Sequence, residues 1–133
     1  MSAATNYLEL EILDHLFSVG TYTPGTLYLA LATAVSDAEA GTFTEVTTVG
    51  TAYARQSLSG KFGTAAASGS ISNDANIQFP TATADYGTVT HIVVMDALTG
   101  GNALIVQALT SSKTVENGDT FVVNTGNLTV NLD

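Results

Sequence analysis

From Leu27 onward the apolar residues of this chain do not keep a helical period; they alternate with polar ones in short runs, cut by Gly, Pro, Asn and Asp roughly every 8–12 residues. Such spacing folds into many short antiparallel strands joined by tight turns, and a sandwich or barrel is its usual outcome. Residues 88–95 are the most strand-like run, 96–102 are turn residues, and 103–110 return as the antiparallel partner. Leu27-Tyr28-Leu29-Ala30-Leu31-Ala32 alternates as strictly, with the leucines on one face and Tyr28, Ala30 and Ala32 on the other. Shorter strands are expected at 53–58, around Ile71, at Ile77 and Phe79 before Pro80, at 114–115, at 120–123 and at 128–132. Residues 34–50 read as a long excursion with one short strand from Phe43 to Val46, and 61–70 as a stretch whose small residues fill little core.

A different period governs the N-terminus. Leu8, Ile12 and Leu16 recur at helical spacing, and Leu13 and Phe17 widen the same arc, which predicts one helix over about 6–19. Asn6 followed by Glu9 has capping-box spacing, and Gly20 stands where a left-handed cap is expected. The fold expected is therefore mainly β, an antiparallel two-sheet sandwich of jelly-roll type with one N-terminal α-helix. Residues 1–133 form a single β-sandwich domain in this reading, with strands from about 26 to 132. No unit repeats at a fixed period and no heptads occur, so solenoids, propellers and coiled-coil shafts are not expected.

Charge narrows the partners. Lys+Arg number 3 against 12 Asp+Glu, a net charge of -9, so neither nucleic acid nor an anionic membrane surface is an expected partner. Charged residues are only 11% of the chain while hydrophobic ones reach 45%, a balance that suits subunit contacts and predicts a homo-oligomer, with a trimer favoured. Cysteine is absent, which removes disulfides, thiolate nucleophiles and Cys-zinc sites. No basic n-region precedes an apolar core at residues 1–5, and no apolar run nears the roughly 18 residues that span a bilayer, so a soluble, unexported chain is expected.

Catalytic patterns are sparse. The chain has no G-x-S-x-G elbow, no H-E-x-x-H helix, no Walker-type loop and no dinucleotide fingerprint. His15 and His91 lack a neighbouring ligand at metal spacing; His15 reads as a helix-end residue and His91 as a half-buried strand residue. Asp85, Asp96 and Asp119 all stand beside turns, where a carboxylate bonding nearby backbone explains them. No EF-hand pattern is present, and Asn127-Leu128-Thr129 matches a glycosylation sequon only by chance in this reading. No catalytic, cofactor-binding or metal-ligating residue is expected. Arg55 is the one candidate site residue: with so few basic groups, its planar fork is expected to hold a carboxylate in a structural ion pair, in its own subunit or the next.

Several strings resemble a group of small tailed-bacteriophage structural proteins labelled as tail fibre or virion proteins. They are Asn6-Tyr7-Leu8 opening a helix, Tyr28-Leu29-Ala30-Leu31 after Pro24, Tyr53-Ala54-Arg55-Gln56, and the long run from Phe79-Pro80-Thr81-Ala82 through Asp85-Tyr86-Gly87-Thr88 to His91. They continue through Asp96-Ala97-Leu98-Thr99-Gly100-Gly101-Asn102 and Lys113-Thr114-Val115-Glu116-Asn117-Gly118-Asp119 to Leu128-Thr129-Val130, leaving out mainly 34–50 and 61–72. The resemblance implies a non-enzymatic virion component made in the host bacterial cytoplasm, with no cofactor and no catalytic residue to carry over. A compact domain without a shaft then predicts a capsid decoration or cement protein. It would bind the major capsid protein on the outer head surface and stabilise the shell, with the helix and the 34–50 and 61–72 loops as contact regions. A short tail-fibre or tail-tip adsorption module is the alternative, and a glycan-degrading enzyme the third reading.

Overall fold

The computed structural model describes residues 2–132. Along the chain run β1 (Ser2–Ala4), α1 (Asn6–Leu16), β2 (Tyr28–Asp37), β3 (Thr42–Glu45), β4 (Gln56–Ser57), β5 (Ser70–Ser72), β6 (Ile77–Gln78), β7 (Gly87–Met95), β8 (Ala103–Val115), β9 (Val122–Val123) and β10 (Thr129–Asn131). Six strands form one antiparallel sheet in the order β1-β8-β7-β2-β3, with β4 also paired to β2. Two antiparallel ribbons, β5 with β10 and β6 with β9, complete the strand pairing. The fold is mainly β and antiparallel with one N-terminal helix, as the alternating pattern implies, and its second layer consists of ribbons and loops.

Alternation in β2 and β7 gives the sheet two apolar faces. Leu29, Leu31, Ile92 and Val94 enter the main core, where they meet Ile77 and Phe79 around β6, Phe121 and Val123 around β9, and Leu128. Ala30, Ala32, Val93 and Met95 point the other way into a smaller cluster, against which Val35, Ala38 and Phe43 of the β2–β3 hairpin pack. Opposite Val94 and Met95 the β8 register slips by one residue, between Ala103 and Ile105. That bulge lets the adjacent Leu104 and Ile105 both reach the main core.

Phe79 sits at the centre of an aromatic group. Its ring stacks on Tyr53 at a centroid distance of 6.1 Å and meets Phe121 edge-on at 5.8 Å, while Tyr86 stands edge-on to Tyr53 at 5.7 Å. Asn73 is the buried polar counterpart. Its Nδ2 donates to the carbonyls of Ala75 and Asn124, and its Oδ1 accepts from Leu128 N at 2.9 Å, so one amide ties the segment after β5 to the turn before β10.

Several expectations need correction. The helix cap is Thr5 and not Asn6: its Oγ1 accepts from Leu8 N and donates to Ala103 O at 2.7 Å, so contact with β8 decides where the helix starts. The helix also ends at Leu16, short of residue 19. Val19 N bonds Asp14 O and Ser18 N bonds His15 O, the paired bonds of a Schellman motif, and Ser18 rather than Gly20 takes the left-handed conformation at φ 62. The excursion expected over 34–50 is shorter, because β2 continues to Asp37 and returns as β3, which is the short strand expected there, shifted by one residue. Residues 114–115 are the end of β8 and not a separate strand.

The strained serine yields a prediction. Left-handed backbone costs an L-residue about 1–2 kcal/mol, and glycine gives back part of that relief as unfolded-state entropy. Because Ser18 is exposed and its side chain makes no hydrogen bond among those described, Ser18→Gly should stabilise by about 0.5 kcal/mol and raise the thermal midpoint by about 2 °C. Calorimetry checks it; a lower midpoint contradicts it.

Candidate functional site: the Arg55 clamp

Arg55 lies just before β4, with its side chain only 7% exposed, and three segments converge on it. Nη2 and Nε donate to Oε1 and Oε2 of Glu45, each at 2.8 Å, the parallel pair of bonds that a guanidinium fork offers a carboxylate. Nη1 donates to two carbonyls of the β7–β8 turn, Ala97 O and Gly100 O, also at 2.8 Å each. Tyr53, two residues earlier in the same segment, donates from its hydroxyl to Glu45 Oε2 at 2.5 Å and accepts from Leu31 N at 3.1 Å. That Leu31 amide is in β2 where β3 leaves it, so the tyrosine oxygen serves as its partner in place of a neighbouring strand.

The turn gripped by Arg55 is itself held by a carboxylate. Asp96 accepts from Asn102 N at 2.7 Å and from Asn102 Nδ2 at 3.0 Å, closing the loop across its base. Gly101 is required there: its φ is 75, and a Cβ would run into Asp96 Oδ1 and the Ala97 side chain. The Asp-Ala-Leu-Thr-Gly-Gly-Asn string therefore builds the surface that Arg55 caps.

Electrostatics follow the hydrogen bonds. Desolvation pushes Glu45 upward, but hydrogen bonds from Arg55 and Tyr53 and the guanidinium charge outweigh it and hold the carboxyl below its ordinary 4.5. The Glu45 bond raises Arg55 further above its usual value. Burial, then the Glu45 bond, raises the Tyr53 phenol, so Tyr53 stays a donor at any physiological pH. Four of the five guanidinium donors are engaged and both carboxylate oxygens are occupied. The group pairs its two charges with each other and holds the backbone of the β7–β8 turn in place.

Glu45 makes stability depend on pH in a stated direction. A carboxyl with a depressed folded pKa contributes stability that is fully present above the unfolded value and lost as pH falls through the folded one. The thermal midpoint of Glu45→Gln should therefore lie below that of the parent at pH 7, and the gap should narrow below about pH 4.5. Melting curves from pH 7 to 3 check this, and a gap that widens in acid contradicts it.

The other candidates stay apart from the clamp. His91 Nδ1 lies 2.8 Å from Thr90 Oγ1 in β7, and His15 Nδ1 accepts from Tyr22 N at 3.3 Å. Asp119 accepts from Glu116 N within its own turn, as expected, whereas Asp85 accepts from Asn117 N and so ties the segment before β7 to the turn after β8. Among the described residues no cluster of three or more His, Asp or Glu could hold a metal ion. A cleft of about 750 Å³ opens between β8 and β9, lined by Ile92, Gln107, Lys113, Asp119 and Phe121. Gln107 Oε1 is buried there with no hydrogen-bond partner among the described residues, while its Nε2 donates to Asn127 O. Sequence reasoning missed Glu45 as Arg55's partner and Tyr53 as Glu45's second donor; the nearest signal was the scarcity of basic residues, which demands a carboxylate without saying which.

The most elaborate polar group among the described residues is thus spent on holding a turn against an antiparallel sheet. Residues 3–131 match the family described as Gp80, podophage GP4 fiber I protein gp80, and the chain belongs to that family. It is accordingly a phage virion structural protein of a fibre-labelled group. No curated protein matches the chain.

Proposed function

We propose that the chain is a non-enzymatic folded module of the phage's fibre apparatus, acting by docking rather than by chemistry. The observation that carries this is the match to a fibre-described family over residues 3–131, nearly the whole described domain. The Arg55 clamp supports it, because its two charges are paired with each other and its described bonds all close within the chain.

A second reading is a head decoration or cement protein, bound as a homotrimer to the major capsid protein at three-fold positions on the capsid exterior. It is favoured by the absence of heptads and of repeated units among residues 1–133 and by a net charge of -9, which packaged DNA would repel from the lumen. Copy number separates the two. Quantitative mass spectrometry of purified virions, with gold-labelled antibody for location, should find a few copies per tail for a fibre module; hundreds of copies spread over the head would establish decoration. Hydrolysis of host-surface polysaccharide by the purified chain would overturn both in favour of an enzyme.

A further inference from the structure

Helix α1 carries two apolar faces, and only one is used. Leu8 is buried and Ile12 half-buried against the sheet core. Leu10, Leu13 and Phe17, spaced i, i+3 and i+7, form a second stripe that is 63%, 51% and 71% exposed, and Leu16 and Val19 extend it at 67% and 75%. Isolated exposed leucines are ordinary on a small protein, whereas five large apolar residues gathered at one helix and its cap mark an interaction surface. The stripe is presented rigidly, since Thr5 and Asn6 bond Ala103, Leu104 and Glu39 at one end and the Schellman bonds close the other. A partner therefore meets a preformed ridge, with little ordering cost left at binding.

Charge decides what that partner is. Exposed Glu9 and Asp14 flank the stripe, and the chain's only Lys and Arg residues are Arg55, Lys61 and Lys113, with Arg55 committed to Glu45. A second copy packed helix to helix would set carboxylates against carboxylates and leave them unpaired. An anionic bilayer is disfavoured for the same reason, because membrane-surface helices carry cationic flanks.

We propose that α1 docks through Leu10, Leu13 and Phe17 into an apolar groove, rimmed by Lys or Arg, on a different virion protein. This rests on the virion reading above and adds the chemistry of the attachment.

The test uses purified virions from a phage lacking this chain and supplied with it in trans. Leu13→Ser with Phe17→Ser, two exposed positions, should leave the thermal midpoint unchanged and lower the number of copies per particle at least tenfold. Glu9→Lys with Asp14→Lys should lower it as well. A photo-reactive phenylalanine analogue at position 10 of the otherwise unaltered chain should cross-link, in the particle, to a Lys- or Arg-containing peptide of a different protein. Undiminished incorporation of the serine variant overturns the proposal, as does a cross-link to a second copy or to lipid. Undiminished incorporation of the charge-reversed variant overturns the basic rim. If the unaltered chain is itself absent from virions, the virion reading fails first and takes this inference with it; loss confined to the variants or a cross-link to a wrong partner leaves that reading standing.

Discussion

Arg55→Ala should destabilise the domain by about 3 kcal/mol, because it leaves Glu45 charged and half-buried and frees two turn carbonyls at once. The estimate takes the lower end of the range for a broken buried pair, since Glu45 keeps 25% of its side chain in water. For a chain of this length the thermal midpoint should fall on the order of 10 °C. Arg55→Lys should recover little of the loss, because an ammonium cannot bridge both Glu45 oxygens and reach Ala97 O and Gly100 O together. A double-mutant cycle with Glu45→Ala should show the two losses to be strongly non-additive. Urea unfolding measures all three, and a change below about 1 kcal/mol for Arg55→Ala would place the pair among ordinary surface ion pairs.

Phe79→Ala should cost more, about 3–5 kcal/mol. The side chain is 1% exposed, and its removal opens a void between Tyr53 and Phe121 that neither ring fills, since Tyr53 is anchored through its hydroxyl to Leu31 and Glu45. Loosening of Tyr53 should also weaken the clamp, so the variant should lose near-ultraviolet circular dichroism from its tyrosines before its strand signal. Equilibrium unfolding gives the magnitude; a loss under about 1.5 kcal/mol would mean that the core collapses around the gap.

Both predictions rest on parts of the fold with unequal visibility in the sequence. The sheet was legible where alternation is strict: Leu29 and Leu31 face one way and Ala30 and Ala32 the other because strand side chains alternate. The far half of β8 was not, because residues 110–113 are Thr, Ser, Ser and Lys and carry no apolar period. They lie where the register to β7 shifts: Val89 pairs with Lys113 and His91 with Ala108, so β8 runs five residues while β7 runs two. The start of α1 was placed correctly, but its capping residue and its end were misread, for tertiary and conformational reasons respectively. Thr5 caps because β8 accepts its hydroxyl, and Ser18 takes a conformation usually left to glycine. The helix face was misjudged too, since Leu13, Leu16 and Phe17 are exposed while Leu8 and Ile12, with Tyr7, turn inward. At the clamp, the need for a carboxylate near Arg55 could be read from charge scarcity. Glu45 itself could not, because a bend between β3 and β4, rather than any sequence period, brings it within reach.

A cryo-EM map of the purified virion tests the central claim most directly. The account predicts density for this domain within the fibre apparatus, at a few copies, with the Arg55 turn intact and the Leu10, Leu13 and Phe17 face covered by another protein. Density for it over the whole head surface, or the helix face open to solvent in every copy, would contradict it.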